Sequence, residues 1–200
     1  MRETTRTFIA IPIPESIGPR LERKQAELTP EVPGCRWTAG SPFHLTLAFL
    51  GDVRNRDLNE LCRAVAAAAE PFERVELTLK GVGAFPSPQK PRVVWAGVTA
   101  MDINHLLDLR KAVAQAATQA GYRPDDLRFH PHITLGRIKS DRGQQVRDLT
   151  TVVDREQGWS AGTFTAVEVV TYASTLDPKG PTYTPLGRAR LAGKKITERA

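Results

Sequence analysis

The sequence predicts an α+β fold built on mostly antiparallel sheets. Three observations carry that reading. Strand-like and helix-like segments alternate along the chain, but not as a clean run of βαβ units. Several strand segments alternate apolar and polar residues, as sheets with one covered face do. No low-complexity linker divides the 200 residues into independent domains.

Each element follows in turn from local pattern. Thr7–Pro12 is apolar and β-prone and reads as a strand. Pro14-Glu15-Ser16 opens a helix that runs to Leu28 and stops before Pro30. Arg36 and Trp37 fit a short strand. Ser41-Pro42 makes a turn into the strand Phe43–Leu50, which Gly51-Asp52 closes. Arg56–Ala69 is helical, with Leu58, Leu61, Cys62 and Val65 on one face and Pro71 beyond its end. Val75–Leu79 alternates as a half-exposed strand. Gly81–Pro88 reads as a turn-rich connector, and Pro91–Val98 as the next strand. Asp102–Ala120 is a helix whose stripe is Leu106, Leu109, Val113 and Ala117. After a loop over Gly121–Asp126 come the strands His130–Ile138 and Thr163–Tyr172. The polar stretch Ser140–Gly158 carries a short helix near Val146–Val153. Asp177–Pro181 is a turn, and Tyr183–Leu191 a final strand. The main body covers residues 1–192, and 193–200 form a basic tail with Lys194, Lys195 and Arg199.

Composition narrows the function classes. An apolar fraction of 40% and a charged fraction of 25% suit a soluble globular protein. No apolar run approaches the ~20 residues that span a bilayer. The start lacks a secretory pattern, so a cytoplasmic protein without membrane contact is expected. Cys35 and Cys62 form no CxxC pair and read as structural thiols. The net charge of +6 favours anionic partners such as nucleic acid or phosphorylated metabolites.

One internal repeat outweighs these features. His44-Leu45-Thr46-Leu47 recurs as His132-Ile133-Thr134-Leu135, in a chain with 4 histidines. In a strand, His and Thr share one face while the aliphatic residues point the other way. A bland reading is two amphipathic strands with a polar solvent face. The chemical reading is a paired-imidazole site. Opening a cyclic phosphodiester needs a water deprotonated on one side of phosphorus and an oxygen protonated on the other. Histidine, with a pKa near ~6.5, can do either. Threonine hydroxyls can donate to nonbridging oxygens. The scheme calls for no metal and no cofactor. His130-Pro131-His132 with His44 could instead be read as a metal site, though no Asp, Glu or Cys stands at a ligand spacing nearby. Phe85, Trp37 and Tyr172 can be read as core or as platforms for a base.

These motifs resemble the 2H phosphodiesterases, and among them the bacterial RNA 2′,3′-cyclic phosphodiesterases, also called 2′-5′ RNA ligases of the LigT type. The likeness extends over Arg6–Ile11, Phe43–Gly51, Gly83–Pro88 with Val94–Val98, Phe129–Arg137 and Tyr172–Leu176. It implies a bilobal, pseudo-twofold fold, with two sheets and flanking helices around a central cleft. It implies hydrolysis of RNA 2′,3′-cyclic phosphate ends to 2′-phosphates, with 2′-5′ joining as a side activity and a monomer as the working form. It carries over His44 as proton donor, His132 as proton acceptor, and Thr46 and Thr134 as phosphate-binding groups. Arg137 matches an arginine common in the family, and reads either as a substrate-binding group whose guanidinium holds phosphate bidentately or as a structural ion pair. Strict alternation puts it opposite His132 unless Gly136 allows a bulge.

Overall fold

The computed structural model describes residues 3–38, 43–125, 129–138, 147–177 and 180–193. Among the described residues, nine strands form one continuous sheet in which every pairing is antiparallel. They are β1 (Thr4–Pro12), β2 (Cys35–Trp37), β3 (His44–Arg54), β4 (Val75–Phe85), β5 (Val93–Ala100), β6 (His132–Ile138), β7 (Ser160–Ala166), β8 (Glu168–Asp177) and β9 (Gly180–Arg190). The order across the sheet is β7-β4-β5-β6-β3-β1-β8-β9, with β2 added on β6. The two halves of the sheet join at β3 and β6, whose pairing is a single position, Leu45 opposite Ile133.

Among the described residues, four α-helices supply the other side of the core: α1 (Gly18–Leu28), α2 (Leu58–Ala69), α3 (Ile103–Gln119) and α4 (Thr150–Arg155). In α1, Pro19 sits in the first turn, where its missing N–H costs nothing, and Leu21, Lys24, Gln25 and Leu28 form the buried stripe. Leu61, Val65 and Ala69 do the same in α2. The Asp102 carboxylate caps α3 by accepting from the His105 N–H at 3.1 Å. One apolar core joins these stripes to Leu45, Leu47, Ile133 and Leu135 on the inner face of the sheet.

Several local expectations shift. Helix α1 starts at Gly18, four residues later than Pro14 suggested, because the chain from Pro14 first makes a turn. The expected connector at Gly81–Pro88 is largely strand: β4 runs to Phe85, and Gly81 (φ 74°) absorbs the break in register between Leu79 and Val82. Its glycines serve close approach within the sheet as well as turns. The late helix lies at Thr150–Arg155, and Val146 is outside the described residues. So are Ser41-Pro42, Asp126, Pro178-Lys179 and residues 194–200 of the basic tail. His105 is half-buried, with its Nε2 3.2 Å from the Glu73 carbonyl.

Candidate active site

The junction of β3 and β6 builds the site. Leu45 and Ile133 face each other and are each 0% exposed, so they anchor the strands to the core. One residue further on each side, the antiparallel register sets His44 across from Thr134 and Thr46 across from His132. All four side chains leave the sheet on the face away from Leu45 and Ile133. Directly opposed Cβ atoms stand about 4.5–5.5 Å apart, and diagonal residues about 7–8 Å with their Cβ atoms somewhat closer. The two imidazoles therefore occupy one diagonal of a four-residue square, and the two hydroxyls the other.

Both motif strands then carry the same irregularity. Against β1, Ile9 pairs with Ala48 and Ala10 with Thr46, leaving Leu47 as an extra residue. Against β5, Val94 pairs with Gly136 and Trp95 with Thr134, leaving Leu135 extra. Each bulge reverses the alternation that follows. Arg137 is therefore turned onto the face of His132; burial is the main cause of the lowered His132 pKa, and the Arg137 charge pushes the same way. Phe49 occupies the equivalent place in the other strand and is 47% exposed. The bulge at Leu135 has tertiary support: the buried Gln25 amide of α1 donates to the Leu135 carbonyl at 2.8 Å, as does the Thr38 N–H. Gly136 admits the close approach of β2, since a Cβ there would sit 2.5 Å from Cys35 Sγ.

The two histidines stand in different surroundings. His44 packs against Phe8 (4.8 Å between ring centres) and edge-on against Tyr183 (5.0 Å), with Tyr172 at 6.3 Å. Phe8, Ala10, Val170 and Tyr172, with Tyr183 against them, form a small second apolar cluster. His132 packs edge-on against Phe85 (5.0 Å), with Trp95 at 6.2 Å. Its Nδ1 is 2.7 Å from the His130 carbonyl oxygen, which can only accept. Nδ1 therefore carries the proton, and in the neutral ring Nε2 is the free base. Burial pushes the His132 pKa below the usual 6.5, outweighing the carbonyl bond, and the charges of His130 and Arg137 push the same way.

The other candidates fall into place around this square. Phe85 and Tyr172 stand in the two aromatic walls, whereas Trp37 packs against the core beside Gly136. The His130 ring is exposed and borders Trp95 at 4.8 Å. Among the described residues, no three His, Cys, Asp or Glu side chains group as metal ligands, so the His130–His132–His44 reading finds no ligand cluster. Burial raises the Cys35 pKa to about 12, and the Cys62 thiol is also pushed up by burial. Neither is poised as a nucleophile.

Beside Thr46 and His132 lies a hollow of about 320 Å³, walled by Phe49, Phe85, Phe129 and Arg110. Sequence reading missed Phe49, Arg110, Phe129 and Tyr183. Aligning the two motif copies would have exposed Phe49, which follows His44 by the interval that separates Arg137 from His132. Arg110 and Phe129 come from outside both motif strands and left no such mark.

Comparison with known proteins agrees with this internal duplication. The family described as LigT like Phosphoesterase matches residues 11–95 and again 99–183. The offset between the two segments is the one that carries His44 onto His132. The chain belongs to the LigT-like phosphoesterase family. Its relatives there include proteins named RNA 2′,3′-cyclic phosphodiesterase. That of Methanothermobacter thermautotrophicus is 30% identical, over 93% of this chain and 98% of its own. That of Escherichia coli is 31% identical, over 96% and 99%. Among solved structures, a Thermus thermophilus protein matches with a TM-score of 0.76 at 28% identity, over 94% of this chain and 99% of its own. E. coli LigT complexed with 3′-AMP matches with a TM-score of 0.74 at 28% identity, over the same shares. Among the described residues, no helix is long and apolar enough to cross a membrane.

Proposed function

We propose that this chain hydrolyses 2′,3′-cyclic phosphate ends of RNA to 2′-phosphomonoesters by acid–base catalysis between His44 and His132. The carrying observation is the register at Leu45 and Ile133, from which His44 and His132 stand on diagonal strand positions, a spacing of about 7–8 Å between such residues. The names of the relatives that match nearly end to end supply the substrate class.

His132 is the base. Its Nδ1–H is committed to the His130 carbonyl, so Nε2 is free to take a proton from water. Burial favours the neutral ring near neutral pH. His44, on the other diagonal corner, donates to the 3′ oxygen as its bond to phosphorus breaks. The Thr46 and Thr134 hydroxyls donate to the nonbridging oxygens, and the Arg137 guanidinium adds positive charge where negative charge builds. If a 5′ hydroxyl replaces water, the same two proton transfers join RNA ends through a 2′-5′ linkage. Every step uses side chains of this chain, so activity needs neither metal nor cofactor.

The test is incubation with an oligonucleotide ending in a 2′,3′-cyclic phosphate, in excess chelator, with the product phosphate located. A 2′-phosphate is expected. His44→Ala and His132→Ala should each lower kcat on the order of 10²–10⁴-fold. A chelator-sensitive reaction, or full turnover by either variant, would overturn the scheme.

A further inference from the structure

We infer that Gln25, on the core side of the sheet, is a positioning residue for the proposed reaction: its side-chain amide fixes the bulge at Leu135 that turns Arg137 toward the phosphate. The inference deepens the proposed function and rests on its placing of Arg137 beside the reacting phosphorus.

The residue type is the first observation. Gln25 lies in the buried stripe of α1 between Leu21 and Leu28 and is 7% exposed. Packing alone would favour an aliphatic side chain there, because a buried amide costs free energy unless it is hydrogen-bonded. Gln25 meets that condition on two carbonyls. Its Nε2 donates to the Leu135 carbonyl at 2.8 Å and to the Thr38 carbonyl at 2.9 Å. Both N–H groups of the amide are thereby spent on backbone, one on β6 and one just past the end of β2.

Those bonds fall where β6 is irregular. Leu135 is the extra residue of the bulge against β5. Its carbonyl also accepts from the Thr38 N–H at 2.8 Å, and the Thr38 hydroxyl donates to the preceding carbonyl, that of Thr134, at 3.3 Å. A regular strand turns successive carbonyls to opposite sides, so one residue that reaches both marks the bulge. Without the bulge, strict alternation returns Arg137 to the face opposite His132.

Helix α1 is anchored independently of the motif strand. Arg20 Nη1 donates to the Ala161 carbonyl of β7 at 2.9 Å, and Lys24 Nζ reaches the Glu156 carboxylate at 2.9 Å. Leu21 and Leu28 are fully buried in the core. Gln25 therefore transmits the position of a fixed helix to the segment between Thr134 and Arg137. It does so from the core side of the sheet, without touching substrate.

The experiment assays the full chain on an oligonucleotide ending in a 2′,3′-cyclic phosphate, well below the Tm of every variant. Gln25→Met fills the same space but has no donor. Gln25→Asn keeps the amide and shortens its reach by one methylene. Each should lower kcat/KM about tenfold or more, because a misplacement of about 1 Å at a reacting group can cost about 10²-fold. In an Arg137→Gln background the same substitutions should cost less than about twofold, since the group they position is gone. Burial is the main cause of the low His132 pKa, and the charges of His130 and Arg137 add to it. As the Arg137 charge draws away, the acidic limb of kcat/KM should therefore move upward in Gln25→Met. A lowered Tm with kcat/KM within about twofold of wild type makes Gln25 merely structural and overturns the inference. So do equal penalties in both backgrounds, an unmoved limb, or failure of both variants to fold. Absence of hydrolysis by the wild-type protein would instead overturn the proposed function beneath it.

Discussion

Replacing Gly83 with alanine would drive a methyl group into the indole of Trp95. These residues oppose each other across β4 and β5, and a Cβ at position 83 would lie 2.1 Å from the Trp95 ring. Ordinary van der Waals contact begins near 3.4 Å, so the indole must retreat by about 1.3 Å or the strands must part. Trp95 packs at 4.8 Å from His130 and stands 6.2 Å from His132. The displacement is therefore delivered to the proposed base and to the residue whose carbonyl holds it. A misplacement of about 1 Å at a reacting group can cost about 10²-fold, and overpacking a core-like contact costs about 1–3 kcal/mol of stability. We expect Gly83→Ala to lower kcat/KM on a cyclic-phosphate oligonucleotide about 10²-fold, with a lowered Tm. Trp95→Phe supplies the control. It removes the clashing ring atoms, and because the Trp95 Nε1 is buried without a partner, it sacrifices no hydrogen bond. In a double-mutant cycle, the Gly83→Ala penalty should largely disappear in the Trp95→Phe background. Activity within twofold of wild type for Gly83→Ala alone, or an equal penalty in both backgrounds, would refute the relay from Gly83 through Trp95 to His132.

Other parts of the fold lead to further expected outcomes. The acidic limb of the kcat/KM profile should fall below pH 6.5, because the base must be neutral and burial lowers the His132 pKa; Phe85→Ala, which opens its wall, should move that limb upward, and an unmoved limb would separate Phe85 from the base. The same depression means that the unfolded chain binds the proton more readily, so the stability contributed by this group is complete above about pH 6.5 and is lost as pH falls toward the lower folded value, which denaturant titrations between pH 7 and 5 can follow. Leu45→Ala should cost about 2–5 kcal/mol, since it empties one half of the single pairing that joins the sheet; chemical denaturation measures it, and a cost under 1 kcal/mol would contradict that junction. Lys24 is buried between Glu27 and Glu156, with Nζ 2.9 Å from the Glu156 carboxylate, and lies 5.4 Å from the Trp159 ring. Lys24→Ala should cost about 1.5–3 kcal/mol by removing one of the two cations that pair with the buried Glu156 carboxylate, the other being Arg155 at 3.0 Å, whereas Lys24→Met with Glu156→Gln should recover much of that loss.

What the sequence determined by itself was local and periodic. Alternation along His44–Leu47 and His132–Leu135 sets each His and Thr on one face, whatever the strands pair with. Helical stripes and proline stops located α1, α2 and α3 to within a few residues, because those signals act over a single turn. Only the tertiary structure decided how the two motifs meet. The square depends on one register position between strands far apart in the chain, and a slip of one residue there would turn one motif's polar pair into the core. The side on which Arg137 emerges depends on a bulge held by Gln25 from α1 and by β2. Phe129 and Arg110 meet at the hollow although one precedes β6 and the other lies in α3. Such contacts arise from packing between distant segments, and no short-range pattern in the chain encodes them.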